Sequence, residues 1–192
     1  FVIEEATSKQ LNISSICTIY TEKGVGSGFL YKNKNNIGDT NVYVVTCSHI
    51  FNRTNLSTFL ASFSVYNNTR DNITTKALFK VIGRDMLTDI CVGVYDPELP
   101  YNKTFKPDLS PYKKLTIDLT SKYKIGDNVY TCGNIESLDN NTLIKGSIMD
   151  PNYGGSFIMT NGSPECLLLN IDTCGGMSGS PIFKENNDKE II

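Results

Sequence analysis

One histidine serves the whole chain of 192 residues, and none of its six cysteines stands in a C-x-x-C pair. Zinc sites draw on paired cysteines or several histidines, so no metal site is expected, and nothing in the sequence calls for a cofactor. Excess charge is also missing. The 18 basic and 20 acidic residues leave a formal net charge of -2, and the basic ones are scattered, so no groove tracking a phosphate backbone and no nucleic-acid partner is expected. No apolar run approaches the roughly 18 residues that cross a bilayer, which argues against membrane insertion. A signal-like start is absent too. Phe1 rather than methionine opens the chain, which fits removal of a leader or an upstream segment.

What is present suits a soluble globular protein: 40% hydrophobic and 20% charged residues, in a chain long enough to bury a self-sufficient core. Most cysteines flank apolar residues, as in "SSICTIY", "VVTCSHI", "DICVGVY" and "VYTCGN", the pattern of buried reduced thiols. That favours a reducing intracellular compartment over a secreted one. Eight N-x-[ST] triplets, at Asn12, Asn52, Asn55, Asn67, Asn72, Asn102, Asn140 and Asn161, pull the other way, although an asparagine-rich chain produces such triplets by chance. The compartment stays open.

Short runs rich in Val, Ile, Tyr, Phe and Thr recur between Asn, Gly, Asp and Pro clusters: "ICTIY", "GSGFLY", "NVYVVTC", "FLASFSVY", "ALFKVIG", "ICVGVY", "NVYTCG", "LIKGSIM", "SFIMT", "CLLLNI" and "PIFK". Few intervening stretches have the length and period of an amphipathic helix, so the chain reads as all-β, a barrel or sandwich. "DPELPYNKTFKPDLSPYKK" breaks the rhythm with four prolines and no apolar period, as a surface connection would. The expected organisation is a first β unit over residues 1–96, a connection over 97–114 and a second unit over 115–192. "KNKNNIGDTN" reads as a long hairpin tip.

Three residues stand where chemistry is possible. His49 follows the apolar strand "VYVVTCS", so its imidazole can leave the core with its orientation fixed from behind. Asp89 closes "GRDMLTD" directly before an apolar strand, where a carboxylate can be half-buried and still accept an imidazole N–H; Asp85 in the same turn competes with it. Ser178 lies in "DTCGGMSGSP". A serine hydroxyl is a poor nucleophile unless a base takes its proton and preorganised donors meet the oxyanion. The glycines at 175 and 176 permit backbone angles that direct the amides of Gly176 and Ser178 into one small pocket. Each residue alone has an ordinary explanation: an incidental histidine, a turn aspartate, a glycine turn.

Taken together, in the order His, Asp, Ser, they have the arrangement of chymotrypsin-type enzymes. The sequence resembles the chymotrypsin-like (trypsin-like) serine peptidases, and within them the HtrA/Deg proteases and the glutamyl endopeptidases. "GVGSGFLY" looks like the strand opening their first barrel, "VYVVTCSHIF" like their histidine strand, and "RDMLTDICVGVY" like their aspartate segment. "YKIGDNVYTCGN", "LIKGSIMD" and "DTCGGMSGSPIFKENNDKEII" follow in the order of the second barrel. The resemblance implies two packed antiparallel six-stranded β-barrels with the site in their seam, and endopeptidase action on a protein or peptide substrate. His49, Asp89 and Ser178 would be the catalytic triad, and the amides of Gly176 and Ser178 the oxyanion hole.

Departures from the family mark where expectation thins. Met177 stands where zymogens of the trypsin type carry an aspartate that pairs with a new N-terminal amine. Asp172, six residues before Ser178, falls where trypsin has the aspartate of its specificity pocket, which would select Lys or Arg; the alternative is that it ends a strand and faces elsewhere. Glutamate-specific relatives use a second histidine that this chain lacks. Cys174 falls at a bridging position whose partner would lie beyond Ile192, and it also raises a remote thiol-protease alternative. Only 14 residues follow Ser178, so the second barrel is expected to be incomplete and finished by a further segment or chain. The competing function is a catalytically silent double-barrel module used for binding or assembly.

Overall fold

The computed structural model describes residues 2–5, 14–52, 55–66, 72–117, 122–132, 142–153, 166–173 and 175–184. Within them the chain forms eleven strands and one short helix: β1 (Val2–Glu5), β2 (Ile16–Thr21), β3 (Gly24–Tyr31), β4 (Tyr43–Cys47), β5 (Thr58–Tyr66), β6 (Asn72–Asp85), β7 (Ile90–Tyr95), α1 (Pro100–Phe105), β8 (Asn128–Thr131), β9 (Thr142–Tyr153), β10 (Cys166–Asn170) and β11 (Ile182–Lys184). Ten of the eleven apolar runs coincide with strands; "SFIMT" lies outside the described residues. The polar tip "KNKNNIGDTN" is the loop between β3 and β4, as expected.

Strands β2 to β7 close into an antiparallel barrel in the order β2-β3-β4-β7-β6-β5. Closure leaves no free edge, and alternation sends every second side chain inward. Ile19, Leu30, Val44, Phe59, Ala61, Phe63, Ala77 and Phe79 fill the interior. Phe59 stacks on Phe79 with ring centroids 5.9 Å apart. Gly93 on β7 makes room for this pair, because a Cβ there would lie 2.6 Å from Phe59 Cζ.

The second half is a five-stranded sheet in the order β1-β9-β8-β11, with β10 also on β9. Among the described residues it is open rather than a six-stranded barrel. β1 belongs to it: Val2–Glu5 run antiparallel to Thr142–Lys145 on β9. A first unit beginning at residue 1 does not anticipate that crossing, whose pairing partner lies some 140 residues away. A second apolar cluster, Phe29, Leu115, Tyr130, Cys132 and Phe183, joins the outer face of β3 to β8 and β11. This seam holds the two halves in register.

The connection between the halves is more than a surface strap. Its residues 100–105 form α1, whose Asn102 is 2% exposed. The Asn102 amide donates to the carbonyls of Leu78 (2.8 Å) and Asp96 (2.7 Å), while its Oδ1 accepts from the Leu78 N–H (2.9 Å). Farther on, Leu109 and Tyr112 join the barrel core, and the Tyr112 hydroxyl donates to Thr75 Oγ1 at 2.8 Å. Prolines and polar residues hid these anchors because each is a single side chain without a periodic neighbour.

Candidate active site

β4 ends at Cys47, and the chain turns there to present His49. Arg84 on β6 braces this turn: its Nε donates to Ser48 Oγ at 2.7 Å, and its Nη2 to the carbonyls of Ser48 (3.1 Å) and Phe51 (3.2 Å). The guanidinium also lies 5.8 Å from the Phe51 ring centroid. Across from His49, the turn between β6 and β7 ends on Asp89 in the left-handed region, φ 59°. That unusual angle for a residue with a Cβ points the carboxylate back at the histidine turn.

Asp89 holds His49 by two bonds. The His49 amide donates to Asp89 Oδ1 at 2.8 Å, and His49 Nδ1 lies 2.6 Å from Asp89 Oδ2. The Asp89 carbonyl also accepts the Ser48 N–H at 3.1 Å. An ionised carboxylate can only accept, so this pairing suits the neutral imidazole tautomer with its proton on Nδ1 and its lone pair on Nε2. That Nε2 lies 3.1 Å from Ser178 Oγ. The imidazole is 59% exposed and the carboxylate 33%, so the ring can be reached while the carboxylate is partly shielded.

Asp85 is not the partner of His49. Its Oδ1 accepts the Leu87 N–H at 3.0 Å and its Oδ2 the Thr88 hydroxyl at 2.9 Å, which hold its carboxyl below the ordinary carboxylate range. It braces the turn that delivers Asp89.

Ser178 comes from the other half, in the turn between β10 and β11. Gly176 and Gly179 have φ of +92° and +95°, a region that favours glycine. At Gly179 a Cβ would fall 1.9 Å from the Ser27 carbonyl oxygen, so only glycine admits the close approach of this turn to β3. The Ser180 N–H donates to the Met177 carbonyl at 3.0 Å and closes the turn, with Met177 buried beneath it. Cys174 lies outside the described residues. Asp172 is exposed on the loop leaving β10.

Sequence reasoning passed over Ser27, Thr46 and Arg84. All three act across strands far apart in sequence; the one local signal was a serine set between two glycines in "GVGSGFLY".

Among the described residues, one group has donor atoms close enough to share a metal: those of Cys47, His49 and Asp89 lie within 4.8 Å of one another. The His49 Nδ1 and Asp89 Oδ2 atoms are already bonded to each other. A metal on this face of the imidazole would have to displace the Nδ1–Asp89 hydrogen bond. Burial, reinforced by the Asp89 charge, pushes the Cys47 thiol up to about 11, so it is protonated at neutral pH.

The sequence profile of the trypsin-like peptidase domain matches residues 26–191. The chain belongs to this family. No curated protein matches the sequence. Among solved structures, this trypsin-like peptidase domain is similar to Deg5, with a TM-score of 0.60 at 18% identity over 91% of this chain and 76% of that one. It is also similar to the apo form of the MamO protease domain from Magnetospirillum magneticum, with a TM-score of 0.57 at 10% identity over 94% of this chain and 90% of that one. At such identities the likeness speaks for the fold alone. Among the described residues, no helix of this peptidase domain is long and apolar enough to cross a membrane.

Proposed function

We propose that this peptidase domain is a serine endopeptidase that cleaves protein or peptide substrates through an acyl-enzyme, with His49, Asp89 and Ser178 as its triad. One observation carries the reading: a continuous relay runs from Asp89 Oδ2 through the imidazole, 2.6 Å on one side, to Ser178 Oγ, 3.1 Å on the other. Both separations lie within the hydrogen-bond reach expected between a nucleophile, its base and the group that orients the base.

In the proposed mechanism Ser178 Oγ attacks the substrate carbonyl carbon as its proton passes to His49 Nε2. The Nδ1–H stays donated to Asp89, which offsets the positive charge the ring acquires. The backbone N–H groups of Gly176 and Ser178 hold the oxyanion. As the tetrahedral intermediate collapses, Nε2 returns the proton to the departing amine, and water then repeats the sequence on the acyl-serine. The chemistry uses no cofactor.

An active-site-directed fluorophosphonate tests the reading. It should label the folded wild type, and neither Ser178→Ala nor heat-denatured protein. A folded wild type that takes no label would assign the fold to a silent binding module instead. As a secondary part of the proposal, Asp172 selects a basic side chain before the cut. Asp172→Ser should then lower kcat/KM for Lys and Arg peptides relative to uncharged ones, and an unchanged ratio removes it from the pocket.

A further inference from the structure

Ser27, in the middle of β3, is fully buried and faces the turn that carries Ser178. Two bonds tie the two together, and a third fixes Ser27 itself. The Ser27 hydroxyl donates to the Gly176 carbonyl at 2.7 Å, the Ser27 N–H donates to the Ser178 carbonyl at 2.8 Å, and Thr46 Oγ1 donates to the Ser27 carbonyl at 2.7 Å. One residue of the barrel thus holds the carbonyls on both sides of the Met177–Ser178 peptide in the other half.

Each peptide in this turn has a separate restraint. The Met177–Ser178 peptide carries the Ser178 N–H, and its orientation is set within the turn, where the Met177 carbonyl accepts the Ser180 N–H. Among the described residues, no N–H of the turn itself is bonded to the Gly176 carbonyl. With a positive φ and no Cβ, it sits in a broad conformational well, where rotation of its flanking peptides meets little steric resistance. The Ser27 hydroxyl supplies the missing restraint. It anchors the Gly176 carbonyl to the barrel, leaving only the two backbone angles of Gly176 between that fixed plane and the Gly176 N–H.

We propose that Ser27 is a positioning residue for the oxyanion hole: its hydroxyl, bonded to the Gly176 carbonyl, holds the Gly176 amide in line with that of Ser178, so that both donors and the nucleophile are set from the same barrel that carries His49 and Asp89. This rests on the serine-peptidase reading above. Because the hydroxyl acts on the hole and not on the imidazole, its loss acts on kcat and leaves both the pH midpoint of turnover and KM in place.

The test compares wild type, Ser27→Ala and Ser27→Cys by active-site titration, with kcat expressed per titrated site. Ser27→Ala should keep KM within twofold and the pH midpoint unchanged while kcat per titrated site falls by about 10-fold to 100-fold, less than the roughly 10²–10³ typical when a hole donor itself is removed. Ser27→Cys, which keeps a weaker donor, should recover part of the loss. A merely structural role would reduce the number of titratable sites and leave kcat per site at the wild-type value, and that result overturns the proposal. The same overturn follows if kcat falls together with a shifted pH midpoint, since the defect would then lie in the His49–Asp89 pair. A wild type that neither turns over nor takes the fluorophosphonate sinks the serine-peptidase reading and this inference together, whereas an active wild type with an unaltered Ser27→Ala sinks this inference alone.

Discussion

At the scale of single residues, the turn before β7 holds two aspartates that look equivalent in one dimension, and their surroundings separate them. Asp85 spends both oxygens on its own turn, on Leu87 and Thr88. Asp89 spends both on His49. Asp89→Asn would leave the shape nearly intact but present an amide where Nδ1 needs an acceptor, favouring the tautomer with its proton on Nε2. Turnover should fall by about 10⁴-fold, the loss typical of this change in a serine-peptidase triad, with little change in melting temperature. Asp85→Asn should keep turnover within a few-fold, since the turn retains one acceptor. Steady-state kinetics on the two variants checks both, and a dead Asp85→Asn beside an active Asp89→Asn would reverse the assignment. His49, Asp89 and Ser178 were legible because each flanks a strand or sits in a glycine turn, a local sign that needs no partner to be seen. Ser27 and Thr46 were not, because a hydroxyl inside an apolar strand reads as filler until the strand across from it is known.

At the scale of elements, regular strands announced themselves by period, and irregular anchors did not. α1 is the clearest case, since its six residues begin with a proline and carry one buried polar side chain. Asn102 lies in an N-x-[ST] triplet, yet it is buried and both of its amide hydrogens are donated to backbone carbonyls, so the folded chain offers no nitrogen for a glycan. Asn102→Ala should destabilise the domain by about 2–3 kcal/mol, the cost of leaving the Leu78 and Asp96 groups unsatisfied, as measured by urea unfolding. Peptide mapping after expression in a glycosylating host should find Asn102 unmodified. The paired strands β4 and β7 make a second prediction. Cys47 and Cys91 are buried on them, and burial pushes both thiols from 9.0 to about 11, the Asp89 charge adding to the effect at Cys47. A raised folded value means that the unfolded chain releases these protons first, so their contribution to stability is whole below about pH 9 and is lost as pH rises towards 11. Urea midpoints measured from pH 7 to 11 should fall over that window, and a Cys47→Ala, Cys91→Ala double variant should show a shallower decline. Parallel curves would remove the thiols from the account.

At the scale of the whole molecule, the candidate site is divided: β4 and the β6–β7 turn bring His49 and Asp89, and the β10–β11 turn brings the Ser178 hydroxyl. Their 3.1 Å approach therefore depends on how firmly the two halves are joined. Besides the Ser27 hydrogen bonds to the serine turn, the join includes a small apolar cluster in which Phe183 and Tyr130 from the second sheet meet Phe29 and Leu115. The barrel interior forms a separate cluster around Phe59, Phe63 and Phe79. The sequence pattern foretold both strand sets but not this seam, because alternation tells which residues of a strand are apolar and not which sheet they will face. The division makes the two clusters distinguishable by experiment. Phe79→Ala should cost about 3–5 kcal/mol and lower turnover only in step with the fraction unfolded. Phe183→Ala opens the seam and leaves the barrel interior untouched, so kcat should drop at urea concentrations where the barrel is still intact by hydrogen exchange on β4 and β7. Active-site titration across a urea series compares the two directly. Coincident loss of titratable sites and barrel protection in Phe183→Ala would mean that the halves unfold as one unit, and that the seam contributes stability without separately setting the distance between His49 and Ser178.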